Sequence, residues 1–525
     1  MCRDCIIPRL RQAPDHKHLL TMLTVYLLLF IISLLILKYG RQYLNFRSAM
    51  DQLPGDDDFH PILGNIHTFP GFNDAGLAWT YERVKKYKYF FRIYVTPFLA
   101  SIFVYHPDTV KEVISSNSIK PRRLSPFLSS SYDMGVGWLG DGLITTNGHR
   151  WYRNRRLLTP SFHFDILKNY MNIYNDCSVH LLDNVSVSSK TGKSIDFQAV
   201  VGKYTLDVIL RCAFSYKSNC QTDQQPGKYA TAIAELQSMW MKRLITPVHY
   251  VDFIYKLTSE GRRFYSLCDV AHREAETIMK RRKAELESNP GLAGTRKVRD
   301  FLDTLLTARD EEGEGLSWTE IREEVDTFLF AGHDTTASAI MWTLVSLAQH
   351  PEHQDRVYAE VKAVFQGGEG QGQSEVRWED LSRLQYTGQC IKEALRLHSA
   401  VPGTERVTTE DVVFNGHRIK KGTVVILHLW SLHHNPHVWE NPHDFQPERF
   451  HPDNVVKMDP FQFIPFSAGS RNCIGQNFAM NEMKVAVAKV VNRFHLKADV
   501  TKPARHEMSI TMKTSHGAYL FATER

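Results

Sequence analysis

Cys473 is the residue with the most chemistry in prospect. It lies in Phe463-Ile464-Pro465-Phe466-Ser467-Ala468-Gly469-Ser470-Arg471-Asn472-Cys473-Ile474-Gly475, a loop that leads into a helical run from Gln476 to Phe494. Backbone N–H groups at a helix start favour anions and lower a thiol's pKa, so a thiolate here could hold a metal from one side. The plainer reading of a cysteine is a small apolar core residue. The surroundings argue against it. Gly469 and Gly475 lack side chains on either side of the sulfur, as close approach of a flat cofactor requires. Arg471 could pair with an acidic group on such a cofactor. A four-ligand zinc site needs partners at near spacing, and none stand there. A lone thiolate suits haem iron better.

Three other groupings could serve such a centre. Trp151 and Arg155 stand four apart in Trp151-Tyr152-Arg153-Asn154-Arg155-Arg156 and could jointly bind an anion beside an apolar ring. Seen alone, the same run reads as a basic solvated helix. Glu393 and Arg396 are three apart and can meet on a helix. Such pairs are usually exposed and worth little. Arg449 offers a second guanidinium, however, and a carboxylate clamped by two planar forks is a rigid buried network. The third grouping is Ala331-Gly332-His333-Asp334-Thr335-Thr336, in which Ala331, Asp334 and Thr335 share one helical face. An acid beside a hydroxyl suits proton delivery. A stripe facing water is the alternative, but Phe328, Leu329 and Phe330 before it and Ala337, Ala339 and Ile340 after it favour a buried site. Histidines number 24, yet none has a convincing metal spacing.

These residues need elements to place them. Ser317 with Glu320 forms a capping box, and a helical pattern then runs to His350, where Pro351 stops it. Gly332 costs about 1 kcal/mol against Ala inside a helix. Asp334, Thr335 and Thr336 compete for backbone hydrogen bonds, so this stretch predicts a functional distortion. Helical patterns dominate from about 107 to 400. Phe91 to Val95 and Ser101 to Tyr105 flank Pro97 as a hairpin. Segments 288–297 and 366–373 read as loops, and the second does not match a nucleotide fingerprint. The tail after 400 mixes short strands, Pro-rich loops and a last helix.

The first 18 residues are a flank to an apolar segment. Leu19 to Leu37 carries no charge and spans about 28 Å as a helix, near the thickness of bilayer hydrocarbon. Lys17 and Lys38 bracket it, and no A-x-A-like cleavage site follows, so it reads as an uncleaved anchor. Basic residues lie on both sides, so they do not fix its orientation. Residues 38–70 read as a Pro/Gly hinge and 71–525 as one catalytic body. The net charge is 63 − 57 = +6, which calls for no nucleic acid. With 43% hydrophobic and 23% charged residues the chain is not disordered. Its eight cysteines follow no regular spacing, which favours a reducing compartment.

In their order along the chain, these pieces resemble the cytochrome P-450 monooxygenases from about residue 50 to the end. Phe466, Gly469, Arg471, Cys473 and Gly475 match F-x-x-G-x-R-x-C-x-G. The resemblance implies a mostly α fold, a helical bundle around haem with small β-sheets, behind one N-terminal transmembrane helix. Cys473 would be the haem iron ligand, and thiolate ligation in this class favours O–O cleavage. Phe466, Gly469 and Gly475 would shape the haem loop. Trp151, Arg155 and Arg471, with Arg406, would hold the haem propionates. Glu393, Arg396 and Arg449 would form the structural triad, and Asp334 with Thr335 the proton relay.

Glu324 to Thr336 is similar to the signature of family 4, the fatty-acid ω-hydroxylases. Trp138 to Leu143 and Leu157 to Phe164 resemble the leukotriene-B4 hydroxylase group most. One position departs. Most family members carry Glu, esterified to a haem methyl, where this chain has Ala331. The resemblance thus implies haem b held non-covalently, with O2 as co-substrate and a lipid as substrate. Strict terminal-carbon selectivity is open, because the missing tether stiffens the pocket in its relatives. No flavin or nicotinamide site is recognisable. Electrons would come from NADPH through NADPH-cytochrome P-450 reductase, with cytochrome b5 as a second donor. Arg150, Arg153, Arg155 and Arg156 crowd one segment, and those not used on propionates could meet an acidic reductase surface. The implied location is the endoplasmic reticulum membrane, with the catalytic domain cytosolic. Two rivals stand beside this reading: a haem-thiolate lipid-peroxide isomerase or dehydratase, and a non-catalytic membrane haem or lipid binder.

Overall fold

The computed structural model describes residues 16–116, 118–123, 128–223, 227–289, 300–366 and 375–525. Most of the two expected loops, at 290–297 and 367–373, lies outside these. The chain divides into two units, Met1–Pro54 and Gly55–Arg525.

The first unit holds a single described helix, His16–Asp51. Its apolar side chains are exposed all round, from Leu23 to Phe30 to Leu37. A helix apolar on every side needs an apolar solvent, and this one is long and apolar enough to cross a membrane. It continues past Lys38 to Asp51, with Arg47 paired to Asp51 at 3.3 Å. The first part of the expected hinge is therefore helical.

The second unit is mostly helical. Its longest helix is Trp318–Gln349, and both halves of the capping box are present. The Glu320 N–H donates to Ser317 Oγ (3.2 Å), and the Ser317 N–H to Glu320 Oε2 (2.8 Å). Pro351 does more than end it, because it opens the next helix, Pro351–Gln366. The long helix is unbroken through residues 331–336, contrary to the distortion expected there. Thr335 and Thr336 donate their hydroxyls to the carbonyls of Ala331 (2.9 Å) and Gly332 (3.2 Å), so their competition for the backbone is settled within the helix. Gly332 has a packing reason. A Cβ there would lie 2.6 Å from Ile209 Cδ1 on the crossing helix Phe197–Phe214.

Small sheets border the helices. Phe90–Thr96 and Leu99–Val104 form the expected hairpin. Val424–Leu427 pairs parallel with the second strand, and Thr404–Val407 closes the sheet. A C-terminal hairpin joins His506–Met508 to Met512–Thr514, with Glu507 opposite Lys513. Ser338 Oγ (2.5 Å) and Trp342 Nε1 (3.3 Å) on the long helix both donate to the Met512 carbonyl, fixing this hairpin against residues 334–342.

Candidate functional site

The cysteine loop is built by its backbone. The Cys473 N–H donates to the Phe466 carbonyl (2.9 Å), closing a loop that contains a tight turn at Gly469–Arg471. Gly469 has φ +70°, and a side chain there would also press on Ile114 Cγ2 at 2.8 Å. Backbone and packing therefore account for this glycine. Gly475 is different: a Cβ would meet only Phe162, at an ordinary 3.7 Å, so the protein itself leaves that space open. The helix begins at Gln476, as expected, and ends at Arg493. Cys473 is the one exposed cysteine among those described, and all of these are free thiols.

The protein alone moves the Cys473 thiol away from its ionised form. Although the side chain opens into a crevice lined by Arg155, Phe162 and Asn472, the protein crowded around it raises its pKa, and the Gly475 N–H and the Arg155 guanidinium, which pull it down, do not offset this. The expected lowering by the helix start is thus overruled by desolvation. A bound metal cation deprotonates a coordinating thiol outright, and this lone, outward-facing sulfur suits one.

Four cations gather near the loop. The Arg471 guanidinium lies 3.8 Å over the Trp151 ring and donates to Thr146 O (2.9 Å) and Asn147 Oδ1 (3.0 Å). Arg155 instead grips Asn472, donating to its carbonyl (3.0 Å) and its Oδ1 (2.9 Å). Trp151 and Arg155 therefore act on different parts of the loop. Arg406 is buried and donates to Thr404 Oγ1 at 3.2 Å. Sequence reasoning missed the fourth cation, Lys120, which has no motif around it. It is buried and donates to Tyr132 Oη (2.6 Å) and Thr404 Oγ1 (2.7 Å). Among the described residues no carboxylate forms an ion pair with any of the four. Burial, then repulsion by Arg406 and Arg471, depresses the Lys120 pKa. Burial and Arg406 push Arg471 down to about 10. The nearest carboxyl, Glu405, acts on Lys120 from a distance and is itself pushed toward its neutral form by burial; four cations against one such acid make a receptor for an anion, and planar forks suit carboxylates. The two propionates of a haem fit it, as the lone sulfur fits its iron.

A cavity of about 440 Å³ opens beside the long helix. Phe69, Phe72, Ile93, Leu139, Trp240 and Phe330 give it an apolar wall, and Ala331 and Thr335 line it. Asp334 does not. Its carboxylate turns to the C-terminal hairpin, where it pairs with Lys513 Nζ (3.0 Å) and accepts from the Thr511 hydroxyl. Lys513 comes first among the groups that hold Asp334 below the ordinary carboxylate range, and together they outweigh its burial. The expected shared face of Ala331, Asp334 and Thr335 thus splits into two directions.

Glu393, Arg396 and Arg449 meet in the core. Arg396 Nε and Nη2 donate to the two Glu393 oxygens at 2.8 and 2.7 Å, and both side chains are fully buried. Arg396 also donates to the carbonyls of His433 (2.8 Å), Pro442 (2.7 Å) and Asp444 (3.0 Å). Arg449 Nε stands 3.4 Å from Glu393. Desolvating an ion pair is costly unless its remaining donors are satisfied, and those of Arg396 are, whereas Arg449 Nε is buried near Glu393 without a hydrogen bond. The network ties the helix Gln385–His398 to the segment 433–449 that leads to the cysteine loop.

The arginine patch is not the open surface the sequence suggested. Arg150 pairs with Glu323, Arg153 with Asp310 (2.6 Å) and Glu320 (3.5 Å), and Arg156 with Glu311 (2.5 Å). These bonds tie the helix Gly148–Leu158 to the start of the long helix and the segment before it. The charges expected to face a reductase are largely neutralised within the chain.

Comparison with known proteins agrees with this geometry. The sequence model of the Cytochrome P450 family matches residues 54–521. The ultra-long-chain fatty acid omega-hydroxylase of Homo sapiens is 38% identical over 471 residues, covering 87% of this chain and 86% of that protein. Leukotriene-B4 omega-hydroxylase 3 of Mus musculus is 36% identical over 499 residues, 93% of each chain. Cytochrome P450 4A6 of Oryctolagus cuniculus is 38% identical over 495 residues, 93% and 94% of the two chains.

Proposed function

The chain belongs to the cytochrome P450 family, and from that premise we propose a haem-thiolate monooxygenase that hydroxylates fatty acids or eicosanoid-like lipids at or near the ω end. The observation that carries the reading is the cavity: a largely apolar space with Ala331 and Thr335 on its helical wall, which reaches Lys120 and Thr404 at the cation cluster and so brings an acyl chain and a haem site together. A long acyl chain gains by burial there. The ω-hydroxylase names of its relatives support the position attacked.

Cys473 would hold the haem iron, with Phe466, Gly469 and Gly475 shaping the loop around the sulfur. Trp151, Arg155, Arg406 and Arg471, joined by Lys120, would hold the propionates. Ala331 offers only a methyl group, so the haem would be held without a covalent tether. When bound, haem supplies reductive activation of O2: one oxygen atom enters a C–H bond and the other leaves as water, for two electrons and two protons. The protein's own part is to exclude bulk water and to deliver those protons, with Asp334 as acid and Thr335 as the hydroxyl at the cavity wall.

Members of the family take electrons from a redox-partner reductase. For this chain we assign NADPH-cytochrome P-450 reductase, with cytochrome b5 as a second donor. The apolar helix would anchor it in the endoplasmic reticulum membrane with residues 71–525 in the cytosol, and the free described cysteines support that reducing side.

The test is to supply the full-length protein with reductase, NADPH, O2 and a panel of fatty acids, and to identify products by mass spectrometry. Hydroxylation at or next to the terminal carbon is expected. The reduced protein under carbon monoxide should show the red-shifted Soret band of thiolate-bound haem, and Cys473→Ser should lose it. An intact band with no oxygenated product from any lipid would sink the reading. Conversion of a lipid hydroperoxide without NADPH would favour an isomerase instead.

A further inference from the structure

Thr511 is buried in the turn of the C-terminal hairpin and touches both sides of a barrier. It lines the cavity, and its hydroxyl donates to Asp334 Oδ2. Asp334 does not line the cavity, and the neighbouring Thr335 hydroxyl is bonded back to Ala331 O at 2.9 Å. The acid and the cavity are therefore joined through a hydroxyl brought by a different part of the chain. On its other side Asp334 meets Lys513, whose side chain is 21% exposed, so the path has an end near solvent.

We propose that Thr511 is a proton-relay residue: protons reach the cavity from the solvent side by way of Asp334 and the Thr511 hydroxyl. This rests on the hydroxylase reading above. A proton taken up by Asp334 passes to Thr511 Oγ1 as the Thr511 proton moves to an acceptor in the cavity. Asp334 returns to a carboxylate, and Thr511 carries one proton before and after. The hydroxyl has room to redirect, because Gln237 Oε1 stands 3.3 Å away as a second acceptor. Lys513 positions the acid and keeps it ionised at rest. The other titratable groups facing Asp334 are His333, with Nε2 at 3.9 Å, and Tyr229, whose ring is tilted against that of His333 at 6.5 Å between centroids. Burial lowers the histidine and raises the tyrosine, and Lys513 comes ahead of His333 among the charges that hold Asp334 down. The hairpin is held in place by the Met512 carbonyl bonds to Ser338 and Trp342.

The test compares Thr511→Val, which keeps the shape, with Thr511→Ser, which keeps the hydroxyl. With reductase and NADPH, Thr511→Val should lower hydroxylated product per NADPH by roughly fivefold or more, with the difference appearing as hydrogen peroxide. Thr511→Ser should restore it. Lys513→Met should raise the Asp334 pKa and move the acid limb of the coupling profile to higher pH. Infrared spectroscopy of the resting protein, with the carboxylate band assigned by Asp334→Asn, should show that band shifted in Thr511→Val and unmoved in Thr511→Ser. That reading needs no turnover, so it separates failure of this proposal from failure of the hydroxylase assignment. An unmoved band in Thr511→Val, or unchanged coupling in it while Thr335→Ala uncouples, overturns the relay. If Thr511→Val does not fold, an acid limb unmoved in Lys513→Met overturns it instead.

Discussion

Adjacent in sequence, Asp334 and Thr335 point to different neighbours, and this sets what each substitution should do. Thr335 lines the cavity and its hydroxyl is bonded within its own helix. Replacing it by Ala removes a polar group from the cavity wall without unpairing a buried partner that lacks water elsewhere, because the Ala331 carbonyl keeps its helix position. Thr335→Ala should therefore fold normally, bind haem, and divert electrons from product to peroxide. The measurement is peroxide and product per NADPH consumed. Equal ratios in the two proteins would remove Thr335 from the relay and leave Thr511 to carry it alone. Ala331 makes the complementary case. Its methyl faces the same cavity, so Ala331→Glu places a carboxyl where the resemblance to family 4 implies one. After turnover, haem in the variant should survive acid denaturation and organic extraction, while haem in the native chain should wash out. Mass spectrometry of the denatured protein reads this directly.

The long helix and the loops docked on it carry a second kind of prediction. Glu324 is fully buried, accepting from Asn154 Nδ2 (2.9 Å) and the Leu143 N–H (3.1 Å), with no cation paired to it among the described residues. Burial raises its pKa to about 7 from an ordinary 4.5. An acid raised on folding binds its proton more tightly in the native state, so stability is highest below pH 4.5 as far as this group goes. It falls as pH rises from 4.5 towards 7, and levels off above. Between pH 5 and 8 the loss is about 2.5 kcal/mol. Unfolding curves of Glu324→Gln at those two pH values should show a smaller difference than the native chain by that amount. Equal differences would mean that Glu324 is already ionised in the fold. Elements of this kind were partly legible beforehand. The capping box at Ser317 and Glu320 is a local pattern, and local patterns survive folding. So is the i, i+3 spacing of Glu393 and Arg396, although their complete burial follows only from the carbonyls that segment 433–444 brings to Arg396. The distortion expected through residues 331–336 does not form, because the cost of Gly332 within its own helix is offset by the close crossing with Ile209 that a side chain would block. Lys120, Thr511 and Lys513 were illegible for the same reason. Each gains its meaning from residues more than a hundred positions away, and nothing in its own neighbourhood marks it.

At the scale of the whole chain, two independent observations place one boundary. The family's sequence model begins to match at residue 54, and the compact catalytic unit begins at Gly55. Before it stands a helix whose apolar residues from Leu19 to Leu37 lie exposed, so the hydrophobic surface of that stretch is not used in a protein core. Exposed apolar area of this extent is stable only in lipid or aggregates. Every residue assigned here to haem, substrate or proton delivery lies after the boundary. A chain that starts at Gly55 should therefore leave the carbonate-resistant membrane fraction, in which the full-length protein is expected to remain, and should keep the red-shifted carbon monoxide band per mole of protein. The same truncation should change lipid turnover through access to membrane-dissolved substrate, raising KM for long acyl chains presented in vesicles more than for the same acids in micelles, with kcat little changed. Loss of the haem band in a folded truncated chain would show instead that residues before Gly55 complete the catalytic unit, and the division into anchor and body would fail.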